Sequence, residues 1–245
     1  MNMANVNVFP NPSDPNFIKL SPTATRALLW AHHWGAPLEY TNKSRKILKV
    51  HPGGLPREMG GKLCVFKSYQ PLNEFVDQPK NRRGTLIVGS PGIGKTTFLP
   101  YKFVQRLSRR LETLYYSGPT LYFFNEHGAF EVLSRQEYFF DDKRWDDIMA
   151  LVDAEAGHNP PLLMLWSGNS QVRLVFATYP QVERYKEWRK QRSIATFIPN
   201  PPEFEEAILV YIFASQTTVL THGQTGGSCT RSLIQLELIR TSDTY

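Results

Sequence analysis

Beyond residue 83, short apolar runs alternate with longer stretches whose apolar residues recur at helical spacing. Residues 84–88 read Gly-Thr-Leu-Ile-Val, a β-rich run that predicts a buried strand. Residues 95–111 are mostly helix-forming, and Phe98, Tyr101, Phe103, Val104 and Leu107 give them a broad apolar side. Pro100 falls in roughly the second turn of that stretch and predicts a kinked or shortened helix. Further strands are predicted at 120–124 (Thr-Leu-Tyr-Phe-Phe), at 148–152 (Ile-Met-Ala-Leu-Val, ending on Asp153) and at 172–177 (Val-Arg-Leu-Val-Phe-Ala). Residues 130–133 predict a small outer strand, 181–192 a charged helix, 194–198 a fifth core strand and 203–213 a last helix. Strands alternating with helices imply a mostly parallel sheet with helices on both faces, an α/β three-layer sandwich.

The first sixty residues are less regular. Residues 1–20 look loose, with Pro10, Pro12 and Pro15 among Asn, Ser and Asp. Residues 21–34 predict a helix with Ser21 as N-cap and Pro22 as first helical residue. Residues 51–61, with Pro52, Gly53, Gly54, Pro56, Gly60 and Gly61, read as a linker. A short strand at 63–66 and the start of a helix at 70–75 follow. The expected organisation is an N-terminal extension and linker over 1–60, an α/β core over 61–214, and a tail over 215–245.

A length of 245 residues suits such a plan. The formal charge of +6 suits a polyanion partner but is also ordinary for a protein surface. Cys64 and Cys229 lie far apart with no metal-type spacing, so neither a disulfide framework nor a zinc site is expected. No signal peptide or transmembrane stretch is visible, and the expected location is intracellular, in cytoplasm or nucleus.

The strongest chemical signal follows the 84–88 strand. Gly89-Ser90-Pro91-Gly92-Ile93-Gly94-Lys95-Thr96 has the P-loop spacing, with a strand before and a helix after. Glycines let the backbone wrap phosphates so that several N–H groups point inward. The helix beginning near Lys95 directs its positive end at the anion. Lys95 is expected at the β- and γ-phosphates, Thr96 on magnesium and Thr97 at the α-phosphate. The implied ligands are ATP and Mg2+.

A second magnesium handle is expected at Asp153, at the C-terminal end of a buried strand. Glu155 either orients the attacking water or is a solvated loop charge. Thr178, after the fourth strand, either senses the γ-phosphate or sits in a plain turn. Arg184, Lys186, Arg189, Lys190 and Arg192 crowd one helix with Tyr185 and Trp188. They form a solvated face, or contact phosphate as an arginine finger or on nucleic acid; Arg189 is the candidate finger, with Arg184 and Arg192 beside it. Asp141-Asp142 and Asp146-Asp147 read as solvated surface, and His32-His33-Trp34 lacks a set of further metal ligands. The Asn-Lys-x-Asp element of GTPases is absent after the loop; Asn42-Lys43-Ser44 lies before it.

The run from Arg83 to Thr97 resembles the phosphate loop of Crinkler-type and retrotransposon-hot-spot-type NTPases. So does the order that follows: Leu151-Val152-Asp153, Pro160-Pro161, Phe176-Ala177-Thr178-Tyr179-Pro180, then Arg184-Tyr185-Lys186-Glu187-Trp188-Arg189-Lys190-Gln191, and Pro199-Asn200-Pro201-Pro202-Glu203-Phe204-Glu205-Glu206. The resemblance covers about residues 60–210. It implies a P-loop ATPase module related to AAA+ and STAND proteins, of a kind often fused to an effector domain, and here a truncated member. The chain departs from the pattern at Ala177-Thr178-Tyr179-Pro180, where small serines are expected before the proline.

Three readings stand on the sequence. The first is a regulatory NTPase that binds ATP and hydrolyses it slowly, with self-association or a protein partner supplying an arginine. The second is a small-molecule kinase with Arg184, Arg189 and Arg192 as a phosphate-clamping lid. The third is a protein- or nucleic-acid-binding module in which nucleotide only sets conformation.

Overall fold

The computed structural model describes residues 10, 14–41, 46–52, 54–55, 60–134, 136, 139–153, 163–180, 185–192 and 194–208. Its centre is an eight-stranded sheet. Five strands run parallel: β5 (Thr113–Ser117), β8 (Met149–Asp153), β9 (Arg173–Thr178), β4 (Gly84–Val88) and β10 (Ala195–Phe197), side by side in that order. Beyond β5 the sheet turns antiparallel through β6 (Thr120–Asn125), β7 (Gly128–Val132) and β1 (Phe17–Lys19). A separate two-stranded ribbon joins β2 (Ile47–Lys49) and β3 (Lys62–Cys64).

The helices α1 (Thr25–His33), α2 (Tyr69–Asp77), α3 (Lys95–Ser108), α4 (Leu163–Trp166) and α5 (Lys186–Arg192) complete the layers. Two apolar clusters occupy the two faces of the sheet. On one, Phe98, Leu99, Phe103 and Leu107 of α3 pack with Ile87, Leu151 and Val175 of the strands. On the other, Leu86, Val152, Leu174 and Phe176 meet Phe140, Trp145, Met164, Leu165 and Tyr185. Alternation along each strand sends successive side chains to opposite faces, and both sets are apolar, as a sheet covered on both sides requires. The result is the expected α/β sandwich with a mostly parallel sheet.

Several boundaries differ from the sequence expectation. The strand predicted second, at 120–124, is β6 and antiparallel; the parallel neighbour of β8 is β5, hidden between the end of α3 and a tight turn at Gly118 (φ 63°). Helix α3 continues through Pro100 and ends at Ser108, where Arg110 takes a left-handed conformation (φ 56°). Pro100 lacks the N–H that would bond the Thr96 carbonyl, so α3 runs through this position with one main-chain bond fewer. Ser21 does not cap α1: its carbonyl accepts the Ala24 N–H at 2.9 Å, and the helix begins at Thr25. Residues 17–19, expected to be loose, form β1 on the sheet edge. Leu29 and Leu48 are fully buried in the cluster that α3 covers. The described part of the last predicted helix is residues 204–208. Its remainder, the 215–245 tail and Cys229 lie outside the described residues. Cys64 is a free, buried thiol, and burial pushes its pKa up.

Candidate functional site

The loop between β4 and α3 has the geometry its glycines predict. Gly92 (φ 83°) and Gly94 (φ 88°) are both left-handed, and Gly94 is the residue before the first turn of α3. A Cβ at Gly94 would strike the Phe66 ring, and one at Gly89 would strike the Ile93 side chain. At Gly94 the left-handed backbone adds strain to the clash, whereas at Gly89 the Ile93 side chain can turn aside. The loop leads directly into a 14-residue helix, whose N-terminal end begins at Lys95.

Lys95 is the first residue of that helix and is buried, with 3% of its surface exposed. Its Nζ donates to the Ser90 carbonyl at 2.8 Å, so the side chain folds back into the loop rather than into solvent. The Tyr179 ring centroid lies 4.9 Å from the same ammonium. The ammonium thus lies against the Ser90 carbonyl of the loop, and Thr96 follows half-buried.

A second layer holds the loop from behind. The Tyr69 hydroxyl, at the head of α2, donates to the Gly94 carbonyl at 2.8 Å and also hydrogen-bonds Thr97. Burial raises the Tyr69 pKa well above its ordinary value, so this hydroxyl stays a donor. The Thr97 side chain thus supports the loop's rear in this structure. Phe66 and Tyr69 were not found from the sequence; the only signal is two aromatics at the start of a predicted helix.

Strand register places the remaining candidates. Val88, the last residue of β4, lies opposite Thr178, and Ala177 lies opposite both Ile87 and Asp153. Asp153 thus ends β8 at the same sheet edge as the loop. One strand intervenes, which sets β8 roughly 10 Å from β4. Asp153 shares its face with Leu151, the face covered by α3, whose second residue is Thr96. Thr178 is fully buried, its hydroxyl has no hydrogen-bond partner, and its carbonyl accepts the Gly89 N–H at 3.4 Å. Alternation along β9 groups the Thr178 side chain with Leu174 and Phe176, on the face opposite α3 and Asp153.

The arginines divide. Arg192, expected as part of a phosphate clamp, is instead a structural residue with 3% of its surface exposed. Its guanidinium donates to the carbonyls of Leu165 (3.0 Å), Ser170 (2.6 Å) and Val172 (2.9 Å). Those carbonyls lie just before β9 begins, at the sheet edge opposite the loop. Burial lowers its pKa to about 10, with Arg83 nearby adding to the effect. The helical spacing that suggested a shared site hid this anchoring. Arg189 is exposed and one turn before Arg192, nearer the start of β9 than its end. Arg184 and Glu155 lie outside the described residues.

Asp142, Asp146 and Asp147 are surface groups: Asp146 and Asp147 meet Arg82 at 2.5 and 3.5 Å, and Asp142 accepts the Arg144 N–H at 3.0 Å, while Asp141 is half-buried with one carboxylate oxygen buried and without a hydrogen-bond partner. His33 accepts the His51 backbone N–H at 3.1 Å. Among the described residues no group of three His, Cys, Asp or Glu side chains is placed to hold a metal. None of the described helices is long and apolar enough to cross a membrane. The chain matches no protein-family model and no curated protein.

Proposed function

We propose that this chain binds a nucleoside triphosphate, ATP with Mg2+, on residues 89–97, as a regulatory ATPase module of the Crinkler-like kind. The observation that carries the reading is the buried Lys95 ammonium folded into a loop of left-handed glycines at the head of a helix. That arrangement gathers backbone N–H groups, a helix N-terminus and a fixed positive charge in one place, the requirements for a polyphosphate. The register supports a metal-assisted version. Thr96 and Asp153 offer a hydroxyl and a carboxylate on one face of the sheet, hard oxygen ligands of the kind Mg2+ takes. Mg2+ keeps several waters and takes substrate phosphate oxygens, so it needs no larger protein cluster.

In that reading the protein's own groups share the work. The loop N–H groups and Lys95 hold the β- and γ-phosphates and stabilise charge that develops there. Glu155 orients the attacking water. Arg189, exposed and away from its own loop, serves as a finger only on the site of a second copy or a partner. Slow turnover in a dilute single chain follows.

The test is a binding panel of ATP, ADP, GTP and inorganic phosphate, with and without Mg2+, followed by phosphate release. The expected result is Mg2+-assisted ATP binding with low turnover that rises with protein concentration. Asp153→Asn should remove the Mg2+ dependence while the fold is kept. A protein that binds none of the panel ends the reading. ATP binding with no turnover at any concentration favours the nucleotide-gated binding module instead.

A further inference from the structure

The residue after Thr178 departs from the resembling family, and the structure puts it against the phosphate-binding lysine. Tyr179 is half-buried, and its ring centroid is 4.9 Å from Lys95 Nζ. An ammonium over an aromatic face is attracted by the ring quadrupole, more strongly where water is excluded. Here the ammonium is nearly water-free, because Lys95 is only 3% exposed. The same Nζ donates to the Ser90 carbonyl at 2.8 Å.

The ring is fixed by backbone rather than by chance. The Thr178 carbonyl accepts the Gly89 N–H, so the β9 ladder extends onto the first residue of the loop. Pro180 follows and restricts Tyr179 to extended conformations. The two constraints hold the ring beside the loop on a rigid strand end.

We infer that Tyr179 is a gate on the phosphate site: its ring holds the Lys95 ammonium on the Ser90 carbonyl, and a polyphosphate binds by drawing the ammonium away. This rests on the nucleotide-binding reading above. An ammonium has three donors. To span β- and γ-phosphate oxygens it turns from the carbonyl and leaves the ring face. The ring's attraction is therefore present in the empty site and lost in the filled one, which lowers affinity. Any nucleotide that draws the ammonium off the ring meets the same opposition, so the gate lowers affinity for triphosphate and diphosphate alike.

Two variants of the full chain separate the ring from its bulk. Tyr179→Phe keeps the aromatic face, and Tyr179→Leu keeps apolar volume without it. Two readouts are taken: calorimetric affinity for Mg-ATP and Mg-ADP, and the rate at which an amine-acylating reagent labels Lys95 in nucleotide-free protein. The Leu variant should bind ATP about three- to tenfold tighter, gain as much for ADP, and label several-fold faster at Lys95. The Phe variant should behave as wild type in both. Unchanged labelling of the buried Lys102 shows that the Leu variant is folded.

Unchanged or weaker ATP binding by the Leu variant overturns the gate, even with faster labelling, because the ring would then cover the lysine without opposing the nucleotide. Equal labelling overturns it as well. Wild-type protein that binds no nucleotide, with faster Lys95 labelling in the Leu variant, removes the nucleotide reading and leaves the ring contact standing.

Discussion

Helix α3 carries two buried lysines two turns apart, and their surroundings differ in kind. Lys95 and Lys102 are 3% and 1% exposed. Lys102 sits between α2 and α3 with a full set of oxygen partners: Asn73 Oδ1 at 2.5 Å, Asp77 Oδ1 at 2.7 Å and Gln105 Oε1 at 3.4 Å. Its donors are matched, and one partner is an anion. Lys95, at the head of the helix, meets the Ser90 carbonyl at 2.8 Å and the Tyr179 ring face. A buried ammonium is costly unless paired with a negative charge. Lys102 joins two helices through Asp77; Lys95 lies at the proposed phosphate site, where a bound nucleotide would add negative charge.

The largest expected effect breaks the Lys95 side of this contrast. Lys95→Ala should weaken ATP binding by about 100-fold or more, because charge-assisted hydrogen bonds to two phosphates are lost. The fold should survive. Calorimetry with circular dichroism on the same sample checks both parts. Wild-type affinity in a folded variant would remove the phosphate-loop assignment.

At Lys102 the anion should matter more than the cation. Asp77→Ala leaves the ammonium buried without its charge partner, at a cost of roughly 3 kcal/mol, the low end of the range because Asp77 is itself partly exposed. Lys102→Met removes the charge and keeps most of the volume, and should cost about 1 kcal/mol or less. Urea unfolding of both variants decides it. A Met variant less stable than the Ala variant would mean that Lys102 contributes net stabilisation as an ion.

Arg192 is a third buried cation, satisfied by three carbonyls rather than by a carboxylate. Arg192→Ala should cost about 2 kcal/mol by leaving those acceptors unmatched, and should leave ATP affinity within about twofold. A large loss of affinity at unchanged stability would return this arginine to the phosphate site, where helical spacing first put it.

The parts of this molecule legible in sequence are those where local pattern and long-range contact agree. The 84–88 strand, the glycine loop and the start of α3 at Lys95 match the structure residue for residue, because glycine positions and the apolar run specify backbone directly. β8 and β9 shift by only one residue, since a fully apolar run has few ways to end. β5 was missed because Leu-Tyr-Tyr at 114–116 follows a helix closely and shares a tight turn with β6. The support of the loop by Phe66 and Tyr69 was not legible either. Those residues meet Gly94 from more than twenty positions upstream, and no local periodicity records such a contact. Arg192 shows the opposite failure: a charged helix read as one surface has one member buried against carbonyls of distant segments.

The smallest expected effect is a pH dependence from Lys102, the buried cation that releases its proton first; Arg106 and Arg192, lowered by burial to about 10, follow at higher pH. Burial is the main cause of its lowered pKa, about 8 against 10.5 for an ordinary lysine; hydrogen bonding to Asp77 opposes the shift, and Arg106 and Arg109 add to it. The folded state therefore releases this proton more readily than the unfolded state. Between about pH 8 and 10.5 the unfolded chain holds more protons, and stability rises with pH across that interval. The penalty for burying the charge is full at pH 7 and begins to lift as pH passes 8. From pH 7 to pH 9 the gain is on the order of 1 kcal/mol. His33, lowered to about 4 by burial and by His32 and His51, acts below this window: the unfolded chain takes up its proton between pH 6.5 and 4, so stability falls there. Cys64 is raised by burial and opposes the rise near pH 9, because the unfolded thiol ionises first. Comparison with Lys102→Met cancels both, since the variant keeps them. The difference in urea midpoint between wild type and variant should shrink steadily from pH 7 to pH 9. A constant difference would place the ammonium's cost in packing rather than in charge, and would remove the electrostatic half of the contrast with Lys95.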